Sequence, residues 1–439
     1  MMSDGNGLAE ALLGLDGFRV LEVGETPDGW SSRWRQRSTS SAARVAARAP
    51  RPRIGCRHRS VISRVLGDRP GWWVKRSWRC VEPACDARTW TEQSTVIDAQ
   101  VVLTRRAGIE ACRQVGENAR PVSQLADELG VCWWTVMNAV IEHGTPLVDD
   151  PDRVGAVRHL GVDETSFLKA NREHSTIYAT GLVDLENRIM IDMVRGNAAA
   201  DLRRWTANTH PDWLAGIEIV ATDLAESFRA GLSPHLDHAR RVADPFHVVR
   251  VGNRCLDKVR RRVQNETLHH RGRKADPLYR IRKLLLTGDE RLNDTGRNRM
   301  LLGLRVGDPN DEVAGAWLAK ESVRDVYLAD NRDEAALLLD KAIAGCAQDE
   351  VEEIRSLGRT LAAWRTEILA HHDTGASNGP TEGLNLCVKK VKRCGHGFAR
   401  FEHYRLRVLL HAGGVTWPDQ PRPPRIRTHH RRATPHSDA

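Results

Sequence analysis

The chain has no run of eighteen apolar residues, so no membrane-spanning helix is expected. Its first residues, MMSDGNGLAEALLGLDGF, lack a positively charged start and a long apolar stretch, so no secretory signal is expected and the chain reads as cytoplasmic. Only four tyrosines are present, none in an Arg-rich recombinase-like pattern, which argues against a covalent tyrosine intermediate. The nine cysteines are odd in number and scattered. In a cytoplasmic chain this disfavours structural disulfides, and clustered Cys points to a metal instead. No internal repeat is visible. Acid is nearly missing from one region. Between Ser31 and Arg79 the single acid is Asp68, among arginines that include Arg33, Arg35, Arg37, Arg44, Arg48, Arg51, Arg53, Arg57, Arg59 and Arg64. Such a block attracts a polyanion, because neutralised phosphates release counterions. The alternative is a solvated arm.

What is present is enough chain for two or three domains. The 439 residues are 41% hydrophobic and carry 66 Lys and Arg against 57 Asp and Glu, a formal net charge of +9. Residues 1–50 read as an N-terminal segment with a short apolar helix (Leu8, Leu12, Leu13) drifting into a Ser, Ala and Arg-rich linker. Residues 51–98 hold three cysteines and four tryptophans, and residues 100–148 are helical. Residues 155–412 form the large domain, turning helical over about 250–370, and residues 413–439 read as a disordered basic tail rich in Pro, Arg and His.

The large domain opens with alternating stretches. "RHLGVDETSF" reads as a strand ending in acids. "STIYATGLVDLENRIMIDMVRG" reads as a hairpin with Glu186 and Asn187 near its turn. "NAAADLRRW" opens a helix with Asn197 as its N-cap candidate. "IEIVATD" is a fourth strand, and "RRVADPFHVV" a fifth that ends near its proline. A three-strand meander followed by helix-linked strands fits a mixed α/β sheet.

Asp163 and Asp223 close two of these strands and are expected at sheet edges where the chain turns. If the strands are neighbours, the two carboxylates approach each other, and like charges that close demand a divalent cation or a raised pKa. Oxygen ligands favour Mg²⁺ or Mn²⁺ over zinc. Two such ions ~4 Å apart can activate a water or a 3′-hydroxyl and stabilise the leaving oxygen at a phosphodiester. A third carboxylate comes from "NGPTEGLNLCVKKVKRCGHGF", residues 378–398. Pro380 suits a first helical turn, and Gly395 and Gly397 are stop signals. At about 100° per residue, Leu384, Val388 and Val391 share one stripe, with Glu382, Leu386, Lys389 and Arg393 roughly opposite. Glu382 would hold metal, while Lys389, Lys390, Lys392 and Arg393 would hold phosphate; the alternative is an ordinary surface helix. In "ADPFHVVR", Asp244 and His247 stand three apart after a strand, as a pair near the metals or as a packed strand-end turn.

"PVSQLADELGVCWWTVMNAVIEHG", residues 121–144, carries one stripe of Val122, Leu125, Ala126 and Leu129, a break at Gly130, and a second stripe of Met137, Val136 and Val140. This is the pattern of a helix-turn-helix, whose second helix would offer Trp134, Thr135 and Asn138 to a major groove. Upstream, Cys80 and Cys85 are spaced as a knuckle, with Cys56 24 residues before Cys80. A tetrahedral zinc shell needs a fourth ligand. Arg59 stands where a CxxC pair would place it, which leaves His58, at poor spacing. Cys255, Cys346, Cys387 and Cys394 show no ligand spacing and read as core or surface thiols.

The blocks "GVDETSF", "ATDLAESF", "ADPFHVV" and "NGPTEGLNLCVKKVKRCGHGF" resemble, in order, those of bacterial insertion-sequence transposases of the ISL3 family. The resemblance runs from about Arg53 to Leu410, and its last block is the most specific. It implies an RNase H-like DDE domain interrupted by helices between the second Asp and the Glu. The gap from Asp223 to Glu382 is 159 residues (382 − 223), against 60 (223 − 163) between the two Asp, which leaves room for an insertion. It further implies Asp163, Asp223 and Glu382 as a Mg²⁺- or Mn²⁺-binding triad and Asp244 and His247 as an Asp-x-x-His element. Expected partners are terminal inverted repeats, target DNA and a second copy of the chain on DNA in the nucleoid. The Arg59 departure puts Zn²⁺ binding in doubt. Two alternatives stay open: a non-catalytic DNA-binding regulator, and an RNase H-like nuclease that cuts without joining.

Overall fold

In a computed structural model of the chain, residues 101–418 are described in full, and seven strands between residues 18 and 91 by their backbone alone. These are β1 (Phe18–Thr26), β2 (Gly29–Gln36), β3 (Arg51–Pro52), β4 (His58–Arg64), β5 (Pro70–Lys75), β6 (Ser77–Arg79) and β7 (Thr89–Thr91). β1 pairs with β2, β4 with β5, and β6 lies between β3 and β7. The β1–β2 hairpin occupies part of a stretch expected to be helix and linker. The near-alternation of apolar and polar residues in FRVLEV has the period of a strand. The zinc-ligand candidates Cys56, Cys80 and Cys85 lie outside the described residues, as do the helix expected at Leu8–Leu13 and the tail from residue 419. His58 is placed by its backbone only.

The chain divides into two compact units, residues 1–153 with 389–439, and residues 154–388. In the first, α1 (Arg105–Gly116) is capped by the Thr104 hydroxyl, which accepts from Ala107 N at 3.2 Å. α2 (Val122–Leu129) buries Val122, Leu125, Ala126 and Leu129. It ends at Gly130, whose φ of +63° suits a residue without a Cβ, and Val131 N returns to Ala126 O. α3 (Trp133–Val148) buries Val136, Met137, Ala139 and Val140.

The second unit is built on a five-stranded sheet. β8 (His159–Leu168), β9 (Ile177–Asp184) and β10 (Ile189–Arg195) form an antiparallel meander. Its β9–β10 turn is held by Asp184, which accepts from Glu186 N, Asn187 N and the Asn187 amide. Next come α4 (Ala199–Ala207), α5 (Pro211–Ala215), β11 (Ile219–Thr222), α6 (Glu226–Leu236) and β12 (Arg240–Ala243). The sheet order is β10-β9-β8-β11-β12, with β11 parallel to both β8 and β12. This mixed α/β arrangement fits an RNase H-like domain. The N-cap of α4 is Ala198, not Asn197. Asn197 instead spends its amide on Glu164 Oε2 at 2.6 Å, and Asp201 supplies the capping acceptor for Ala198 N.

Successive residues of a strand face opposite ways. Leu160 and Val162 of β8 enter a core shared with Leu182, Val220, Leu202 of α4 and Phe228 and Leu232 of α6. Gly161 and Asp163 therefore face the other side. After β12 the chain runs through helices α7 (Pro245–Leu268), α8 (Pro277–Leu286), α9 (Asp294–Gly307), α10 (Glu312–Val326), α11 (Arg332–Gln348), α12 (Glu352–Ala363) and α13 (Arg365–Thr374). These share a core of their own, which includes Val259, Leu278, Val313, Leu339, Leu357 and Ile368, so the helical insertion is a packed body. Buried Lys320 serves it by donating to Leu285 O and Thr287 O at the end of α8. The chain then enters α14 (Gly379–Cys394), and in the first unit α15 (Phe401–Ala412).

Gly161 is the point at which α14 meets the sheet. A Cβ there would collide with Thr381 Oγ1 and come within 2.6 Å of Leu185 Cδ2 and 2.8 Å of Asn378 Oδ1. Gly161→Ala is therefore expected to destabilise the protein by ~1–3 kcal/mol, the usual cost of overpacking, read as a lower midpoint in urea denaturation. An unchanged midpoint would show that α14 is not seated on β8.

Candidate active site

Parallel pairing fixes the site. Ala221 lies opposite Gly161 and Thr222 opposite Val162, so the next residue of each strand, Asp223 and Asp163, are brought side by side. Asp163 differs from its sequence expectation. It is buried in mid-strand, because β8 continues for five residues along its antiparallel partner β9. Asp223 does follow the last residue of its strand. β12 ends at Ala243, and Asp244 then caps α7 with Pro245 in the first turn, accepting from His247 N at 3.3 Å. That cap turns the His247 ring back toward the strand ends. His247 Nδ1 lies 2.5 Å from Asp223 Oδ1 and 3.1 Å from Asp244 Oδ2.

The five candidate side chains form two overlapping groups. Ligand atoms of Asp163, Asp223 and His247 all lie within 4.8 Å of one another, and so do those of Asp244, His247 and Glu382. His247 is common to both. Glu382 is thus grouped with the Asp-x-x-His pair and not directly with Asp163 and Asp223.

Burial and the neighbouring Asp223 carboxylate push Asp163 up to about 6, against hydrogen bonds from Glu164 N at 2.8 Å and the Asn385 amide at 2.6 Å. Burial alone would lower His247, but its contacts with Asp223 and Asp244 outweigh that and raise it to about 10. Burial would raise Asp244, yet His247 and the backbone amide of Asn378 hold it below the ordinary aspartate value. Three carboxylates and a mid-strand Asp that resists ionisation make a hard, mostly oxygen donor set of the kind Mg²⁺ and Mn²⁺ prefer. Asp223 Oδ1 is buried and meets His247 without the alignment of a hydrogen bond, which leaves a lone pair for a cation. The residues fit such an ion.

Four supporting residues escaped sequence reading: Asn378, Thr381, Asn385 and Tyr327. Asn378 N donates to Asp244 Oδ1 at 2.7 Å, and its side-chain amide donates to Val162 O at 3.2 Å. Together with Val388, three of these residues, at 378, 381, 385 and 388, form one buried stripe at helical spacing. The stripe is polar at its start because it faces the carboxylates, so a search for apolar periodicity finds only its end. Tyr327, from the insertion, is half-buried with its hydroxyl enclosed and without a hydrogen bond, and desolvation and Asp244 hold its pKa high.

The candidate DNA contacts lie in the first unit. Trp134 and Asn138 are exposed near the start of α3, and the Thr135 hydroxyl sits 3.1 Å from Cys132 Sγ. On α14, Lys389, Lys390 and Arg393 are exposed and Lys392 is half-buried. Cys255 and Cys346 are buried free thiols, and Cys387 and Cys394 half-buried ones. No helix among the described residues is long and apolar enough to cross a membrane.

Comparison with known proteins gives the same direction. A transposase family model, the DDE type of the ISL3 group, matches residues 160–408. A transposase for insertion sequence element IS1557 from Mycobacterium tuberculosis is 26% identical over 288 residues, covering 61% of this chain and 63% of that protein. The match therefore spans less than two thirds of that relative's length. A transposase for insertion sequence element IS1001 from Bordetella parapertussis is 24% identical over 343 residues, covering 76% of this chain and 79% of the relative. The family match covers more than half of the chain and includes every acid of the site, so the chain belongs to the ISL3 family of DDE transposases.

Proposed function

We propose that the protein is a DNA transposase that binds the terminal inverted repeats of its element, cleaves DNA with a divalent metal, and joins the freed 3′-hydroxyl to target DNA. The observation that carries this reading is the convergence of Asp163, Asp223, Asp244, His247 and Glu382 on one side of the sheet. Asp163, Asp223 and Glu382 would hold Mg²⁺ or Mn²⁺. Such an ion, when bound, activates water or a 3′-hydroxyl and stabilises the leaving oxygen of a phosphodiester.

The chain's own residues set the geometry. Asn385 donates to Asp163 and orients it. Asp244 fixes His247 through both its backbone amide and its ring. His247 holds positive charge against the carboxylates, which keeps them close while no other cation neutralises them. In the cut, the attacking water loses its proton and the 3′-oxygen leaves as a hydroxyl, with a 5′-phosphate on the other product. In the joining step the 3′-hydroxyl attacks a target phosphodiester, so one bond forms as one breaks. Exposed Lys389, Lys390 and Arg393 would grip the DNA backbone, and α3 would approach the groove with Trp134, Thr135 and Asn138.

Mn²⁺ at about a hundred times its Kd should stabilise the protein by ~2.7 kcal/mol, seen as a rise in melting temperature. Asp163→Asn and Asp223→Asn should lose that rise. Metal-free Asp163→Asn should melt no lower than the wild type, because one of two crowded charges is gone. An equal rise in the variants would place the metal elsewhere.

Labelled DNA carrying the element's ends, with Mg²⁺, Mn²⁺ or EDTA, tests the activity. Metal-dependent nicking and joined product are expected, and Glu382→Gln should lower both by about a hundredfold or more while end binding persists. Cutting without joined product would favour a nuclease. Binding without cutting under any metal would sink the enzyme reading in favour of a regulator.

A further inference from the structure

Within the first unit a cavity of about 390 Å³ opens between the start of α2, the start of α3 and the turn after α14. That falls within the roughly 300–1,000 Å³ of small-ligand pockets. Its wall is aromatic on one side. Trp133 and Trp134 meet edge to face at 4.8 Å between centroids, and His403 stands 6.4 Å and 6.2 Å from them. Both indoles keep exposed surface, 39% and 50%, unusual for the largest apolar side chain in a monomer.

The other side is cationic. The Arg400 guanidinium lies 5.6 Å from the Trp134 ring. Arg407 is 3% exposed and lies 5.1 Å from the Phe398 ring. It spends one nitrogen on Arg120 O at 3.1 Å, and its Nε is buried with no partner. Among the described residues, no carboxylate lines the cavity and none forms an ion pair with Arg407. Burial pulls its pKa down to about 10, so it remains charged at neutral pH. A buried guanidinium without an acid is costly, and the missing counter-charge implies an anionic ligand at this wall.

We infer that this cavity takes one unstacked nucleotide of a DNA strand, its base against Trp133 and Trp134 and its phosphate at Arg400 and Arg407. The inference rests on the reading of the protein as DNA-binding and changes the part Trp134 plays: it stacks on the face of an unpaired base instead of reading an edge in a paired groove. Stacking accepts any base, because every base has a π-face. Arg400 beside an indole suits a stacked base as well as a phosphate.

The test uses the full chain and a single-stranded thymidine oligonucleotide with one central 2-aminopurine. Binding should quench the 2-aminopurine as it stacks on indole. Trp134→Ala should restore the emission and weaken binding about tenfold, and Trp134→Phe should keep most of the quench. Arg400→Gln should weaken binding without restoring the emission of the bound base. The same strand with an abasic site at the centre should bind about tenfold more weakly than the intact strand and be indifferent to Trp134→Ala. Equal affinity for the intact and abasic strands, or binding without quenching, would overturn the inference. Binding of duplex element ends, measured on the same wild-type sample, separates the two readings. Duplex bound without quenching of the single strand removes the nucleotide pocket alone, and failure to bind either DNA removes both.

Discussion

The parallel pairing of β11 with β8 is the constraint on which the site depends. It sets Ala221 against Gly161, so two carboxylates one residue further on cannot avoid each other. Asp163 answers by resisting ionisation, since its pKa of about 6 lies above the ordinary 3.8. A raised acid pKa means that ionising Asp163 between pH ~4 and ~6 lowers stability, and the fold bears that loss at neutral pH. His247 works the other way. Its pKa is raised to about 10 from 6.5, so its contribution is full below pH ~6.5 and is lost as pH rises through the folded value. A cluster with opposed titrations, an Asp223 oxygen that meets His247 without an aligned hydrogen bond, and Asn378 and Thr381 oxygens without hydrogen bonds is poor for stability and well suited to a cation.

Asp244 is what lets a long insertion return to this cluster. Its carboxylate caps α7, where the insertion leaves the sheet, and accepts from Asn378 N, where the chain comes back, 134 residues later. Closing a loop of that length costs only slowly growing entropy, provided that something fixes its ends. Here one side chain fixes both. It also sets the His247 ring, so the geometry of the site and the closure of the insertion depend on the same carboxylate. The insertion carries its own apolar core from Val259 to Ile368, so its return does not rest on contacts at the site alone.

Much of this was legible in sequence because the signals were local. The meander, the acid after β11, the end of β12 near Pro245 and the break at Gly130 each follow from residues within one turn or strand. Three features were not legible, for physical reasons. Asp163 was expected at a strand end, but whether a strand stops is decided by its partner, and β9 carries β8 onward. Asn197 was expected to cap α4, but a hydrogen bond to Glu164, 33 residues away, takes its side chain. Asn378, Thr381 and Asn385 were passed over because their stripe is buried without being apolar. In each case a contact distant in sequence outweighed local propensity. The grouping of Glu382 with Asp244 and His247 belongs to the same class: its residue type and helix were readable, its neighbours were not.

The cations of the first unit divide by the same physics. Lys389, Lys390 and Arg393 are exposed. Their attraction to phosphate is screened by salt and indifferent to sequence, which suits a grip on any backbone. Arg407 is enclosed, has no acid partner among the described residues and lines the same cavity as the two indoles. A charge kept in such a place is screened little, and its unmet hydrogen bond makes an ill-fitting ligand costly. An exposed cation gains little from discriminating among ligands, whereas an enclosed one with an unmet donor discriminates strongly. Arg407 therefore sets the chemistry of the cavity, and the two tryptophans set the shape of what can accompany a phosphate into it.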